Sequence, residues 1–184
     1  MTRRISGLLI VAAAMAAFLL PGGASACACG EFKGVVVAHG KSLHGVPWRI
    51  KAAPMPPRTK TSPPGIRVHF SIGDKDSGIG YFSSLPRRLP PELVFTANKG
   101  SGITDYPESD ISGVTQPKAV ELVVKMSDGQ FLTVRPVLAP PEARKRFPWL
   151  RGLRFYDAFF PSSQEPLKVT AFDGDGRVLA REPV

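Results

Sequence analysis

The stretch AVELVVKMSDGQFLTVRPVL, residues 119–138, decides the fold class. Val120, Leu122, Val124 and Met126 recur at every second position with Glu121 and Lys125 between them, the period of a strand with one apolar face. Ser127-Asp128-Gly129 follows, and a three-residue connection ending in glycine supplies the positive φ that reverses a chain. QFLTVRPVL then alternates again, with Leu132 and Val134 on one side. The segment is expected to form a β-hairpin.

The same pattern extends in both directions. LKVTAF (167–172), the turn Asp173-Gly174-Asp175-Gly176 and RVLAR (177–181) predict a second hairpin, with Leu167, Val169 and Ala171 directed inward. Further strands are expected at 35–38, 48–53, 66–72, 79–83, 93–98 and 153–160, the last with Phe155 and Tyr156 on opposite faces. Of the 19 prolines, 18 follow residue 26, which excludes long helices over most of the chain. One helical turn is expected at PPEARKRF, residues 140–147, where proline suits the start. Short strands punctuated by turn signals predict an all-β fold, a single antiparallel β-sandwich-like domain spanning 27–184. Within it AAPMPPRTKTSPPG (52–65), with five prolines, reads as an exposed loop of polyproline character.

The ending RFYDAFFPSSQEPLKVTAFDGDGRVLAR, together with VELVVKMSDGQFLTVRP, resembles the C-terminal part of small exported actinobacterial proteins of unknown function. These share a hairpin of apolar strand, Asp-x-x-Gly, arginine and apolar strand. The resemblance covers about 70 residues and implies an all-β domain, with no activity or catalytic residue to carry over.

The opening MTRRISGLLIVAAAMAAFLLPGGASA places Arg3 and Arg4 before an apolar run from Leu8 to Leu20, with small residues at Ala24, Ser25 and Ala26. That is the anatomy of a secretory signal peptide, expected over residues 1–26. The run is too short to span a bilayer, which takes about 20 residues, so no membrane span is expected in the mature chain. Ala24 and Ala26 suit cleavage between Ala26 and Cys27, and the chain is expected to be secreted. The alternative is a lipoprotein anchored at the cell surface through lipidation of Cys27. Arg3 and Arg4 are the only charged residues of 1–26. The 24 basic residues less these two, against 15 acidic ones, leave +7 on 27–184. Such a charge favours anionic partners, here a cell-envelope polymer or another surface protein, and export excludes nucleic acid as the natural target.

Two cysteines cannot form a disulfide framework. Bridging Cys27 to Cys29 would remove only about 1.6 kcal/mol of unfolded-state entropy, which strained bridge geometry offsets. Cys27-Ala28-Cys29 is similar to the Cys-x-Cys opening of tissue inhibitors of metalloproteinases, but the distant partner cysteines of that family are absent. A soft-metal reading would set Cys27 and Cys29 with His39 and His44 around copper or zinc, or use the thiols for redox chemistry. Asp74-Lys75-Asp76-Ser77-Gly78 and Asp173-Gly174-Asp175-Gly176 look like calcium-loop fragments, but they lack the glutamate such a loop needs and read as turns. The chain carries no G-x-S-x-G, H-E-x-x-H, phosphate-loop or dinucleotide motif. His39, His44 and His69 leave an extracellular hydrolase as a second alternative.

The strongest contact surface is EARKRFPWLRGLRFY (142–156), in which Arg144, Lys145, Arg146 and Arg151 interleave with Trp149 and neighbouring aromatics. Guanidinium groups beside aromatic rings suit anionic or sugar-bearing ligands. A secreted or surface-associated binding protein, not an enzyme and without a cofactor, is therefore the reading this sequence favours.

Overall fold

The structure, a computed structural model, describes residues 32–56, 64–73, 79–91, 93–101 and 107–184. The expected signal segment, both cysteines, residues 57–63 of the proline-rich stretch and residues 74–78 lie outside these. Among the described residues twelve strands form three antiparallel four-stranded sheets. The first is a meander of β1 (Val35–Lys41), β2 (Pro47–Met55), β3 (Gly65–Ile72) and β4 (Ile79–Pro86). The second runs β5 (Asn98–Ser101), β6 (Glu108–Thr115), β10 (Arg154–Pro161), β9 (Val137–Leu138). The third runs β12 (Val178–Pro183), β11 (Pro166–Phe172), β7 (Glu121–Met126), β8 (Phe131–Val134). A helix α1 (Pro141–Arg146) and a 3₁₀ turn (Pro148–Gly152) join β9 to β10.

Two apolar cores separate the sheets. Val37, Ile50, Ile66, Val68 and Phe70 of the first sheet meet Val114 and Phe155 of the second, together with Leu89, Leu150 and Leu153. On the opposite side of the second sheet, Ile111, Tyr156 and Phe160 meet Leu122, Val124, Met126, Val169 and Ala171 of the third. The expected antiparallel sandwich therefore forms with a third layer, and β6 and β10 run through the middle. Each middle strand alternates between two cores instead of between core and water, as strands covered on both faces do. That is why Phe155 and Tyr156, on opposite faces as expected, are both buried.

Both hairpins form where they were expected, the second with a different orientation at Leu167. Gly129 has φ +85 and its N–H donates to the Met126 carbonyl at 3.1 Å. Gly176 has φ +77, and Asp173 Oδ1 accepts the backbone N–H groups of Asp175 (2.9 Å) and Arg177 (2.8 Å), so this carboxylate is engaged in building its turn. A Cβ added at Gly129 would meet nothing within 4 Å. Gly129→Ala should therefore lose only the conformational term, about 1 kcal/mol. Urea unfolding should show a lower midpoint at unchanged m-value; no loss at all would mean that the turn relaxes freely.

Some expectations shift. The strand read at 93–98 is reduced to a bridge, Phe95 to Thr115, before β5 begins at Asn98. Leu167 does not point inward: a register shift between Pro166 and Lys168 buries Pro166 and leaves Leu167 49% exposed. The strand read at 48–53 continues to Met55, paired with Gly65, which shortens the connection after it. Among the described residues no helix is long and apolar enough to cross a membrane.

Candidate functional site

At one end of the middle sheet the chain makes a polar strap. The Gln116 amide donates to the carbonyls of Pro90 (2.8 Å) and Leu93 (3.1 Å), and the Gln116 N–H to Val94 O at 2.8 Å. Arg154 Nε donates to the Pro117 carbonyl at 2.8 Å and Nη1 to Pro136 O at 3.2 Å. The proline-rich segments have few N–H groups of their own, so these two side chains satisfy their carbonyls and hold them in place. Leu89 anchors the dibasic pair before it by inserting into the first core, and Leu150 anchors the 3₁₀ turn in the same way.

The result is a cleft of about 750 Å³, within the size range of small-ligand sites. Trp149 forms part of its wall, half-buried and packed against the first core. Arg87, Arg88 and Lys118 supply positive charge around it, and Leu89, Gln116, Gly152 and three prolines complete the described lining. Arg87 is half-buried, its Nε 3.5 Å from the Gly65 carbonyl; Arg88 and Lys118 are exposed. No acidic residue is among the described lining residues. Cationic groups beside a low-dielectric wall keep a larger field than the same charges in open water. The arrangement offers donors, charge and an indole face, which can bind and orient an anion.

Of the contact residues read from the sequence, Trp149 lines this cleft and the others do not. Arg144, Lys145 and Arg146 occupy the last turn of α1, where they also favour the negative end of the helix. Arg144 is half-buried, Lys145 and Arg146 are exposed, and the Arg146 guanidinium lies 5.2 Å from the Phe147 ring centroid. Phe147 in turn lies 5.9 Å from Trp149. Arg151 is exposed on the 3₁₀ turn. The cations that do line the cleft come from SLPRRLPP and from the turn before β7, far from Trp149 in sequence. Two adjacent arginines flanked by prolines are a signal of an exposed basic turn, but only the sheet topology sets them beside an indole.

The histidines are dispersed. His39, on β1, is exposed and lines a shallow depression of about 280 Å³ with Trp48 and Arg49. Gly40 makes room there, since a Cβ on it would fall 2.7 Å from the Trp48 ring. His44 is exposed in the β1–β2 turn, and His69 is half-buried on β3 with its ring edge-on to Phe32 at 5.6 Å. Among the described residues no group of three or more His, Cys, Asp or Glu is placed to hold a metal ion. Ala26, Cys27 and Cys29 lie outside the described residues.

A second polar group is buried in the middle sheet. Glu108, Asp110 and Ser112 share one face of β6, and Asp157, opposite Ser112 on β10, shares that face too. Glu108 and Asp110 are each 2% exposed. Burial pushes the Asp110 carboxyl up to about 6, despite hydrogen bonds with Ser112 and Asp157 that pull the other way. Burial, and then the neighbouring charge of Asp110, hold Asp157 well above the usual carboxylate range.

No protein-family profile, curated protein or solved structure matches the chain.

Proposed function

We propose that the protein is an exported binding protein whose Trp149 cleft takes an anionic polysaccharide of the cell envelope. The observation that carries this reading is the convergence of Arg87, Arg88 and Lys118 on one half-buried indole. An indole face stacks on the apolar face of a sugar ring, and guanidinium groups form charge-assisted hydrogen bonds with carboxylates or phosphates. Arg144, Lys145, Arg146 and Arg151, in the chain flanking Trp149, add positive charge that steers a polyanion without fixing its position.

The test is binding of fluorescent polygalacturonate, a carboxylated glycan, at low and high salt. Arg87→Glu with Arg88→Glu should weaken low-salt binding by about tenfold or more and reduce its salt dependence. Trp149→Ala should weaken binding by a similar factor while leaving the salt dependence nearly unchanged, because it removes stacking and no charge. Lys145→Glu with Arg146→Glu should have a smaller effect. Circular dichroism melts must show that the variants remain folded. Equal retention of wild type and the Arg87/Arg88 variant would overturn the proposal, and loss confined to the α1 variant would move the contact surface onto that helix.

A further inference from the structure

Asp110 and Asp157 meet inside the middle sheet, each with one buried carboxylate oxygen that no donor reaches. Their carboxyls lie within hydrogen-bonding reach across the β6–β10 pairing, diagonal neighbours on one face of the middle sheet. Asp110 Oδ1 and Asp157 Oδ1 are sealed from solvent, and among the described residues neither receives a hydrogen bond. Two neighbouring buried carboxylates repel, and an oxygen that no donor reaches loses its hydration without return. A single proton placed between them removes both penalties, since it turns one acceptor into a donor and cancels one of two like charges.

We propose that Asp110 and Asp157 share one proton at neutral pH and release it as the medium turns alkaline, so that the β6–β10 contact is a pH-sensitive lock. Among the described residues no cation acts on the pair. On β6, Glu108 stands two residues away with both carboxylate oxygens buried and unpartnered, and Ser112 hydrogen-bonds to Asp110. On β10, Tyr156 points its hydroxyl to the other face, where it donates to the Thr96 carbonyl at 2.5 Å. On β5, which pairs with β6, Lys99 is engaged with Glu165. On β1, which touches β10, His39 and Lys41 are exposed; β8 and β9 carry no titratable side chain. The shift of Asp110 to about 6 and the larger one of Asp157 agree with this geometry.

The sign is set by linkage. A carboxyl whose proton is held more tightly in the folded chain binds more protons folded than unfolded, so stability falls as pH rises. The window opens near the unfolded value, about 4, and extends through about 6 for Asp110 and higher for Asp157. The consequence reaches the cleft, because Gln116 and its strap continue directly from the end of β6.

The test is the melting temperature of wild type, Asp110→Asn and Asp157→Asn between about pH 4 and about pH 10. An asparagine amide donates where the shared proton did, so the difference between variant and wild type should grow in the variant's favour by on the order of 5 °C across that range. A difference that is flat, or that shrinks, overturns the proposal. Should neither variant fold, infrared spectra of the wild-type chain near neutral pH decide: a protonated-carboxyl C=O band supports the lock, and its absence refutes it. Calcium added in the same melts covers a competing occupant. A rise in the wild-type melting temperature that Asp110→Asn abolishes would mean that the acids hold a cation in the proton's place, which also overturns it.

Discussion

Gly113→Ala is expected to destabilise the protein by about 3 kcal/mol or more, enough that much of the variant is recovered as aggregate. A Cβ on this residue would fall 2.0 Å from the carbonyl oxygen of Thr96 and 2.8 Å from the Tyr156 hydroxyl. Backbone cannot rotate away as a flexible side chain can, so the 93–97 segment would have to lift off β6. Much is lost when it does. Thr96 N–H donates to Val114 O at 2.8 Å, Val114 N–H donates to Thr96 Oγ1 at 3.0 Å, and Tyr156 donates to the Thr96 carbonyl. Tyr156 is only 2% exposed, and burial raises its phenol well above its ordinary range, so a hydroxyl deprived of its acceptor has no water to turn to. The test is the urea midpoint of purified variant, with soluble yield as a second measure. A loss under about 1 kcal/mol would mean that the strap does not press on β6 as described. Because Val94 and Leu93 belong to the same strap, a variant that stays folded should also bind more weakly in the Trp149 cleft.

The second large effect belongs to Phe155. It is fully buried between the first and second sheets, where Val114 is its partner from the same sheet. Phe155→Ala should cost about 3–5 kcal/mol, the sum of lost transfer energy and a cavity that flanking strands cannot close. Phe131→Ala is the control of the same chemistry, since Phe131 is 66% exposed on β8 and its loss should stay within about 0.5 kcal/mol. Guanidinium unfolding of the pair separates the two. Similar losses for both would show that the middle sheet is not the shared wall of two cores.

The outer strands were legible in the sequence because each has one wet face. AVELVVKM and LKVTAF alternate as half-buried strands must, and Gly129 and Gly176 mark their turns with a conformation that other residues resist. The strand ESDISGVT was not legible, although every one of its residues is buried. Its apolar positions, Ile111 and Val114, fall on opposite faces, and the remaining places are taken by acids, serines, a glycine and a threonine whose burial depends on the strands around them. Phe155-Tyr156 carried the clue, since two adjacent large aromatics in a strand demand two cores. For the cleft, Trp149 was visible as an aromatic among arginines. Arg87, Arg88 and Lys118 were not, because spatial convergence of three distant turns leaves no trace in local spacing.

The order in which strands occupy the layers also sets a timetable for folding. The first sheet is a meander of four consecutive hairpin neighbours, β1 to β4, and such local pairings close soon after their residues become available. Its apolar face has no cover of its own. That cover includes Val114 and Phe155 of the middle sheet and Leu150 and Leu153 of the preceding turn, all supplied by later parts of the chain. The middle sheet in turn cannot be finished until β10 returns to β6, after β7 and β8 have been laid down in the third. Until β10 is in place, the apolar face of the first sheet therefore lacks the cover that Val114, Phe155, Leu150 and Leu153 provide. This is the stage at which a chaperone has most to hold, and at which a slowed chain is most exposed to aggregation.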